Sequence, residues 1–320
     1  MRIITVICWG VAALALAGIA IWFLTGTVFG FGTGRFFTGL SAGVGWENLT
    51  GPYQIDGTYT VPADNIDSMN INWISGGITV TPYDGGEIKI TEYAQRALND
   101  GEKLRLSTSG STITVEFSED RTLLRMPSKK LEVLIPQALS GKIQKLNIDS
   151  TSGSVTVETI STSEFKVSSI SGSLHLTDIG ANTISVNSTS GSVTISDVSA
   201  EDMDIRSVSG SIRLSDTVLN LIKCNTTSGS VNLSGSFREA DLGSISGSVT
   251  IKSAVVPGSL RVNTTSGSVS VTVPNEGAVS VSHSSTSGRL SSDIPVMMQN
   301  KDAQFRFSSV SGSVRIYALD

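Results

Sequence analysis

The stretch Leu146-Asn147-Ile148-Asp149-Ser150-Thr151-Ser152-Gly153-Ser154-Val155-Thr156-Val157 sets the pattern from which the rest of the chain is read. Apolar residues alternate with polar ones on both sides of a Ser-Gly pair. Such period-two alternation marks strands with one buried face. The glycine between them reads as a corner, because it takes the positive φ that a sharp bend demands. The frame then recurs at Gly172, Gly191, Gly210, Gly229, Gly247, Gly267, Gly288 and Gly312, each preceded by Ser, with spacings of 19, 19, 19, 19, 18, 20, 21 and 24 residues.

The apolar positions keep this register. Two residues after the glycine stand Val155, Leu174, Val193, Ile212 and Val231; four after it stand Val157, Leu176, Ile195, Leu214 and Leu233. Five before it come Ile148, Val167, Val186, Ile205, Cys224 and Leu242, and seven before it Leu146, Phe165, Ile184, Met203, Ile222 and Ala240. A single unit cannot bury its apolar face. Stacked coils can, since like positions then lie about 4.8 Å apart and form continuous ladders. The pattern therefore predicts an all-β fold, a β-solenoid of roughly 19-residue coils. A compact β-sandwich does not keep so fixed a period over nine units. The Ser or Thr three residues before each glycine (Ser150, Ser169, Ser188, Ser207, Thr226) should form a hydroxyl ladder that partners backbone groups at the corner.

Looser spellings of the same unit precede the regular run. Trp73-Ile74-Ser75-Gly76-Gly77-Ile78-Thr79-Val80 and Thr108-Ser109-Gly110-Ser111-Thr112-Ile113-Thr114-Val115 each carry the corner and the following strand. Their glycines are 34 residues apart and the next step, to Gly153, is 43, close to two coils each with insertions. Arg121 to Lys130 is a basic insertion and reads as a solvated loop.

Composition agrees with strands and excludes some functions. Only 16% of residues are charged and 6% aromatic, with a net charge of -5. No basic field exists to draw in nucleic acid. At the N-terminus, Ile3 to Leu24 carries no charge. As a helix it would reach about 33 Å, enough to cross a bilayer core, which predicts one transmembrane helix over residues 1–24. A cleaved signal would need a shorter apolar region ending in a small-x-small site; Ala15-Leu16-Ala17 has those sizes but lies in mid-run. Arg2 on one flank and Arg35 eleven residues beyond the other favour a cytoplasmic N-terminus, hence a single-pass protein of the cell membrane with its C-terminal domain outside the cytoplasm. Residues 25–57 read as a Gly- and aromatic-rich linker and residues 58–320 as the solenoid.

The proline-ended strand Leu131-Glu132-Val133-Leu134-Ile135-Pro136, leading into Leu146 to Val155 and then the Ser-Gly-Ser-Val units, resembles the bacterial putative-adhesin family of domains of unknown function, over about residues 60–320. The resemblance implies a β-solenoid, often membrane-tethered, with some relatives linked to cell-envelope stress. It implies no catalytic residues.

The residues themselves offer little chemistry. His175 lies between Leu174 and Leu176, on the outward face of a strand, and His283 fills an apolar slot; neither has an assignable partner for acid–base work. Serine at every corner follows from backbone geometry, without a nucleophile elbow. Asp178, Asp197 and Asp216, each six residues after its glycine, would stack into a carboxylate column. A Ca²⁺ site is one reading, since that ion takes hard oxygen ligands. The other is a turn residue bonding to backbone N–H groups, which the stop after three coils favours. Cys224 occupies an inward slot as a small hydrophobe. The expectation is a non-enzymatic protein of the envelope without cofactor, anchored to the membrane, whose outward strand faces meet an envelope protein or a glycan. A carbohydrate-active or glycan-binding solenoid is the alternative.

Overall fold

Alternation at period two demands strands, and the computed structural model supplies them. It describes residues 52–118, 128–297 and 303–319, and no α-helix occurs among them. The predicted anchor, and all of the predicted linker up to residue 51, lie outside the described residues. The opening strands are β1 (Gln54–Pro62), β2 (Ser68–Ser75), β3 (Ile78–Tyr83), β4 (Glu87–Ala94), β5 (Arg105–Ser109), β6 (Thr112–Glu116), β7 (Lys129–Pro136) and β8 (Lys145–Ser152). Five long strands follow: β9 (Val155–Ser171), β10 (Leu174–Ser190), β11 (Val193–Ser209), β12 (Ile212–Ser228) and β13 (Val231–Ser246). The chain closes with β14 (Val249–Ser253), β15 (Ser259–Ser266), β16 (Val269–Pro274), β17 (Val279–Ser287), β18 (Leu290–Ser292), β19 (Val296–Met297), β20 (Gln304–Ser311) and β21 (Val314–Leu319).

From β9 to β13 the coils stack in parallel with like positions adjacent. Leu174 pairs with Val155 on one side and Val193 on the other, and Ile184 with Phe165 and Met203. The inward ladders are shut off from water: Val155, Val193, Phe165, Val186 and Ile205 are all 0% exposed. Each such side chain stabilises the stack by about 1.5–3 kcal/mol relative to leaving it exposed.

Two kinds of corner shape each coil. At the first, the glycine is needed twice over. Gly172 has φ of 144°, and a Cβ on it would stand 2.1 Å from the carbonyl oxygen of Gly153, so neighbouring backbones approach too closely for any side chain. The same geometry runs through Gly191, Gly210, Gly229, Gly247 and Gly267. The hydroxyl ladder forms beside it in part: Ser150, Ser169 and Ser188 donate to the carbonyls of Gly153, Gly172 and Gly191 at 3.4, 3.5 and 3.3 Å, whereas Thr226 donates to the Ser228 carbonyl at 3.4 Å and the buried Ser207 hydroxyl has no partner among the described residues. The second corner falls inside the long strands at Thr159, Asp178, Asp197 and Asp216, whose φ values are 54°, 55°, 55° and 53°.

Two departures from the sequence reading concern coil order. Gly110 is no corner. It sits at the tip of a hairpin, with β5 antiparallel to β6, and the glycine column passes directly from Gly76 to Gly153. Ser-Gly serves both geometries, since each wants a residue at positive φ, so the dipeptide alone does not separate them. The stack is also not in chain order at either end. β3 lies between β7 and β9, and β2 between β6 and β8, so the β6–β7 coil lies outside the β2–β3 coil although the chain reaches it second, and antiparallel β5, β4 and β1 cover its far edge. At the other end β20 and β21 insert between the β15–β16 coil and the β17–β18 coil. The long final spacings of 21 and 24 residues are the loops that this exchange requires. The β17–β18 coil is therefore the last rung, and its inward Val281, His283 and Leu290 are only half-buried.

Candidate binding faces

Strand alternation that sends one set of side chains inward sends the other out, and parallel register lines them up. One outward column carries Thr156, His175, Thr194, Arg213, Asn232 and Thr250 in successive coils. A column on another side carries Lys166, Ser185, Asp204, Lys223, Asp241 and Arg261. Charges of both signs alternate there, and Arg261 approaches Asp241 at 3.7 Å. Exposed pairs of this kind contribute at most about 1 kcal/mol each. They leave the surface polar and adaptable.

The aspartate column is built by the second corner. Asp178, Asp197 and Asp216 are exposed and stand one coil apart at the left-handed position. Asp tolerates that conformation better than most residues. Thr159 holds the same place in the coil before, and in the coil after the register shifts so that Gly235 pairs with Thr217 instead. Among the described residues no group of three or more His, Cys, Asp or Glu side chains is arranged to hold a metal ion. His175 is exposed, as its place between two inward leucines dictates. Cys224 is fully buried, and burial pushes its thiol up to about 12.

The site that sequence reasoning missed lies at the first coils. Lys129 does not belong to a solvated loop. It opens β7 and is 0% exposed, with its Nζ 2.6 Å from Oε1 of the equally buried Glu92. The ammonium also donates to the carbonyls of Glu102, at 2.6 Å, and Phe117. It stands over the Phe117 ring at 4.0 Å and the Trp73 ring at 5.1 Å. Those two rings meet edge to face at 4.9 Å. Glu92 accepts the Leu104 N–H with both oxygens, each at 3.1 Å. Burial raises the Glu92 carboxyl and lowers the Lys129 ammonium from their ordinary values, each opposed by the other's charge. Glu102 lies next to this pair. Two hydrogen bonds from Arg96, at 2.7 and 2.8 Å, hold its carboxyl below the usual glutamate value. The signal in the sequence was the alternation itself, since Lys129, Leu131, Val133 and Ile135 share one face. A lysine at the head of an inward series is a buried lysine.

A cleft of about 460 Å³ opens at the other end of β7, between the β1–β2 loop (Ala63 to Asp67), Gly85–Gly86 of the β3–β4 turn and the segment from Pro136 to Lys142. Its charges are mixed, Asp64 and Asp67 against Lys142. The Ser68 hydroxyl, at 2.8 Å, holds the Asp67 carboxyl below its ordinary value.

With this geometry in hand, comparison with known proteins is informative about fold. The sequence finds no match among curated proteins. A solved structure described as a putative lipid binding protein from Parabacteroides distasonis superposes with a TM-score of 0.55 at 13% identity, covering 85% of this chain and 99% of that one. A putative adhesin from the same organism gives 0.56 at 9% identity, with 84% and 98% covered. A putative adhesin from Parabacteroides merdae gives 0.52 at 10% identity, with 85% and 99% covered. At such identities the likeness is one of fold alone. The Toastrack DUF4097 family model matches residues 66–316, from just before β2 to the middle of β21, and the chain belongs to that family.

Proposed function

We propose that this protein is a non-enzymatic binding scaffold of the cell envelope, tethered to the membrane by residues 1–24 and presenting outward strand faces to a partner. The observation that carries the reading is the register of the outward columns. Side chains from successive coils repeat at about 4.8 Å along the stack, so an extended partner meets an array rather than a pocket. The fold-level likeness to proteins described as adhesins and as a lipid binding protein supports a binding role. The uncharged run from Ile3 to Leu24 supports the tether.

Cell fractionation tests the tether. The full chain should sediment with membranes and resist extraction by high salt, and a chain lacking residues 1–24 should be released. Retention of the shortened chain in the membrane fraction would sink the tether. The scaffold role is tested by crosslinking the full chain on intact cells, where a photoreactive group placed at Asn232 should capture envelope material. Failure of crosslinks from every outward column counts against it.

A further inference from the structure

Two positions of each coil, two and four residues before the corner glycine, alternate with the inward ladders and lie on the same side of the stack. The first reads Thr151, Ile170, Thr189, Val208, Thr227 and Ile245 in successive coils, threonine and aliphatic strictly in turn. Thr265, Val310 and Thr286 continue it in spatial order, because β20 lies between β15 and β17. In chain order Thr286 would follow Thr265 and break the rule. The alternation is thus a property of the folded surface. The second position keeps the same period between the end coils: Asp149, Asn187, Asn225 and Asn263 stand in the threonine coils and Ser168, Arg206, Gly243 and Ser308 in the aliphatic ones, whereas Asn72 in the Ile74 coil and Ser284 in the Thr286 coil depart from it.

Stacking does not ask for this. The inward ladders place an aliphatic residue at every coil without alternation, so burial of the core does not account for a two-coil period on an outward face. Like stations recur at roughly 9.6 Å, two coil rises. From Asn225 onward the array is accessible: Asn225, Asn263 and Thr265 are exposed, Ile245 is 37% and Val310 39% exposed, whereas Ser168 and Asn187 in the earlier coils are buried. From Asn225 to Val310 neither column carries a charge.

We propose that this face binds a linear, uncharged β-linked glycan laid along the stack, with one disaccharide for every two coils. In an extended β-linked chain each ring is turned over relative to the last, so like faces return at every second sugar. A branched aliphatic such as Ile245 or Val310 suits the apolar C–H face of a ring. The Asn225–Thr227 and Asn263–Thr265 pairs supply amide and hydroxyl donors and acceptors for ring hydroxyls and acetamido groups. The column beside them, Lys223, Asp241, Arg261 and Arg306, carries both signs, so the face offers no single-sign field to an acidic or basic polymer. The proposal rests on the scaffold reading and adds the face and the ligand class to it.

The test is calorimetric titration of the detergent-solubilised full chain with chitohexaose, with the α-linked maltohexaose as comparison. Saturable binding of chitohexaose alone is expected. Ile245→Thr with Val310→Thr removes the alternation while keeping β-branched residues that suit a strand. It should weaken binding about tenfold, equivalent to about 1.4 kcal/mol. Asn225→Ala with Asn263→Ala should do the same, and Thr250→Ala in the other outward column should change nothing. Circular dichroism and melting curves verify folding, and the asparagine pair serves if the first variant misfolds. Equal binding of both glycans, no binding of chitohexaose, or full affinity in a folded variant pair would overturn the proposal. So would a dimer that the same substitutions dissolve in light scattering, which would make the array a contact between copies of the chain. The crosslinking on cells is independent of these titrations and separates failure of the glycan assignment from failure of the scaffold reading.

Discussion

Lys129 Nζ and Glu92 Oε1 lie 2.6 Å apart with both side chains closed off from solvent, at the end of the core where the regular coils begin. Taking two charges out of water is costly, and the pair recovers that cost only because each partner is also hydrogen-bonded to backbone. Lys129→Met should therefore destabilise the protein by about 3–5 kcal/mol, because it leaves the Glu92 carboxylate buried and uncompensated. The double variant Lys129→Met with Glu92→Gln should recover a large part of the loss. Urea unfolding of the four proteins of this cycle checks it. A double variant no more stable than Lys129→Met would mean that the ammonium's backbone bonds and ring contacts, not its charge partner, dominate.

The corner column makes a second prediction. In Gly191→Ala the new Cβ would stand 2.3 Å from the Gly172 carbonyl oxygen, in a coil whose neighbours fix the spacing. Backbone strain and the clash together should cost about 2–4 kcal/mol. Gly86→Ala, with nothing within 4 Å of the added atom, is the matched comparison and should stay within about 0.5 kcal/mol. Thermal melting of both variants decides between them.

Cys224 should be inert while the coils are closed. Its thiol is fully buried and pushed up to about 12, so almost no thiolate exists near neutral pH. Iodoacetamide should leave the Cys224 peptide unmodified in native protein and alkylate it fully in denaturant, read by mass spectrometry. Modification under native conditions would show that the middle of the stack opens readily.

Stability should fall in acid partly through Glu102. Its folded carboxyl is held below the ordinary value of 4.5, first by the hydrogen bond from Arg96. The stability contributed by that group is present above 4.5 and is lost as pH falls through the lower folded value. The contribution is at most about 1 kcal/mol, because the Arg96 side chain is one-third exposed. Arg96→Gln should flatten this part of the acid profile when urea midpoints are measured from about pH 6 to about pH 3.

The coils were legible because each inward position repeats in sequence, and Val155, Leu174 and Val193 announce one another. Coil order was not, because Ser-Gly marks a bend without saying which neighbour the next strand will join. Gly110 shows the limit: its dipeptide matches the corners, but β5 turns back beside β6. Lys129 was misread for a related reason. A basic residue beside a basic run reads as solvated unless its parity with Leu131 and Val133 is given more weight than its charge. The two-coil alternation two residues before each glycine is invisible in chain order beyond Thr265, and appears only when Val310 is placed between Thr265 and Thr286.

The insertion of β20 and β21 between earlier coils has a mechanical consequence. A stack laid down in strict chain order can be unpeeled from its last strand, one hydrogen bond at a time. Here the final strand has a neighbour on each side, β16 and β18, so a pull on the C-terminus loads both ladders together in shear. The first coils are interleaved as well, with β3 held between β7 and β9. At the other end β1 pairs with β4 alone, so tension applied there meets an edge strand and the two ends of the strand array resist a pull differently. The insertion also delays completion during synthesis, because the β17–β18 coil has no rung to rest on until β20 and β21 have left the ribosome.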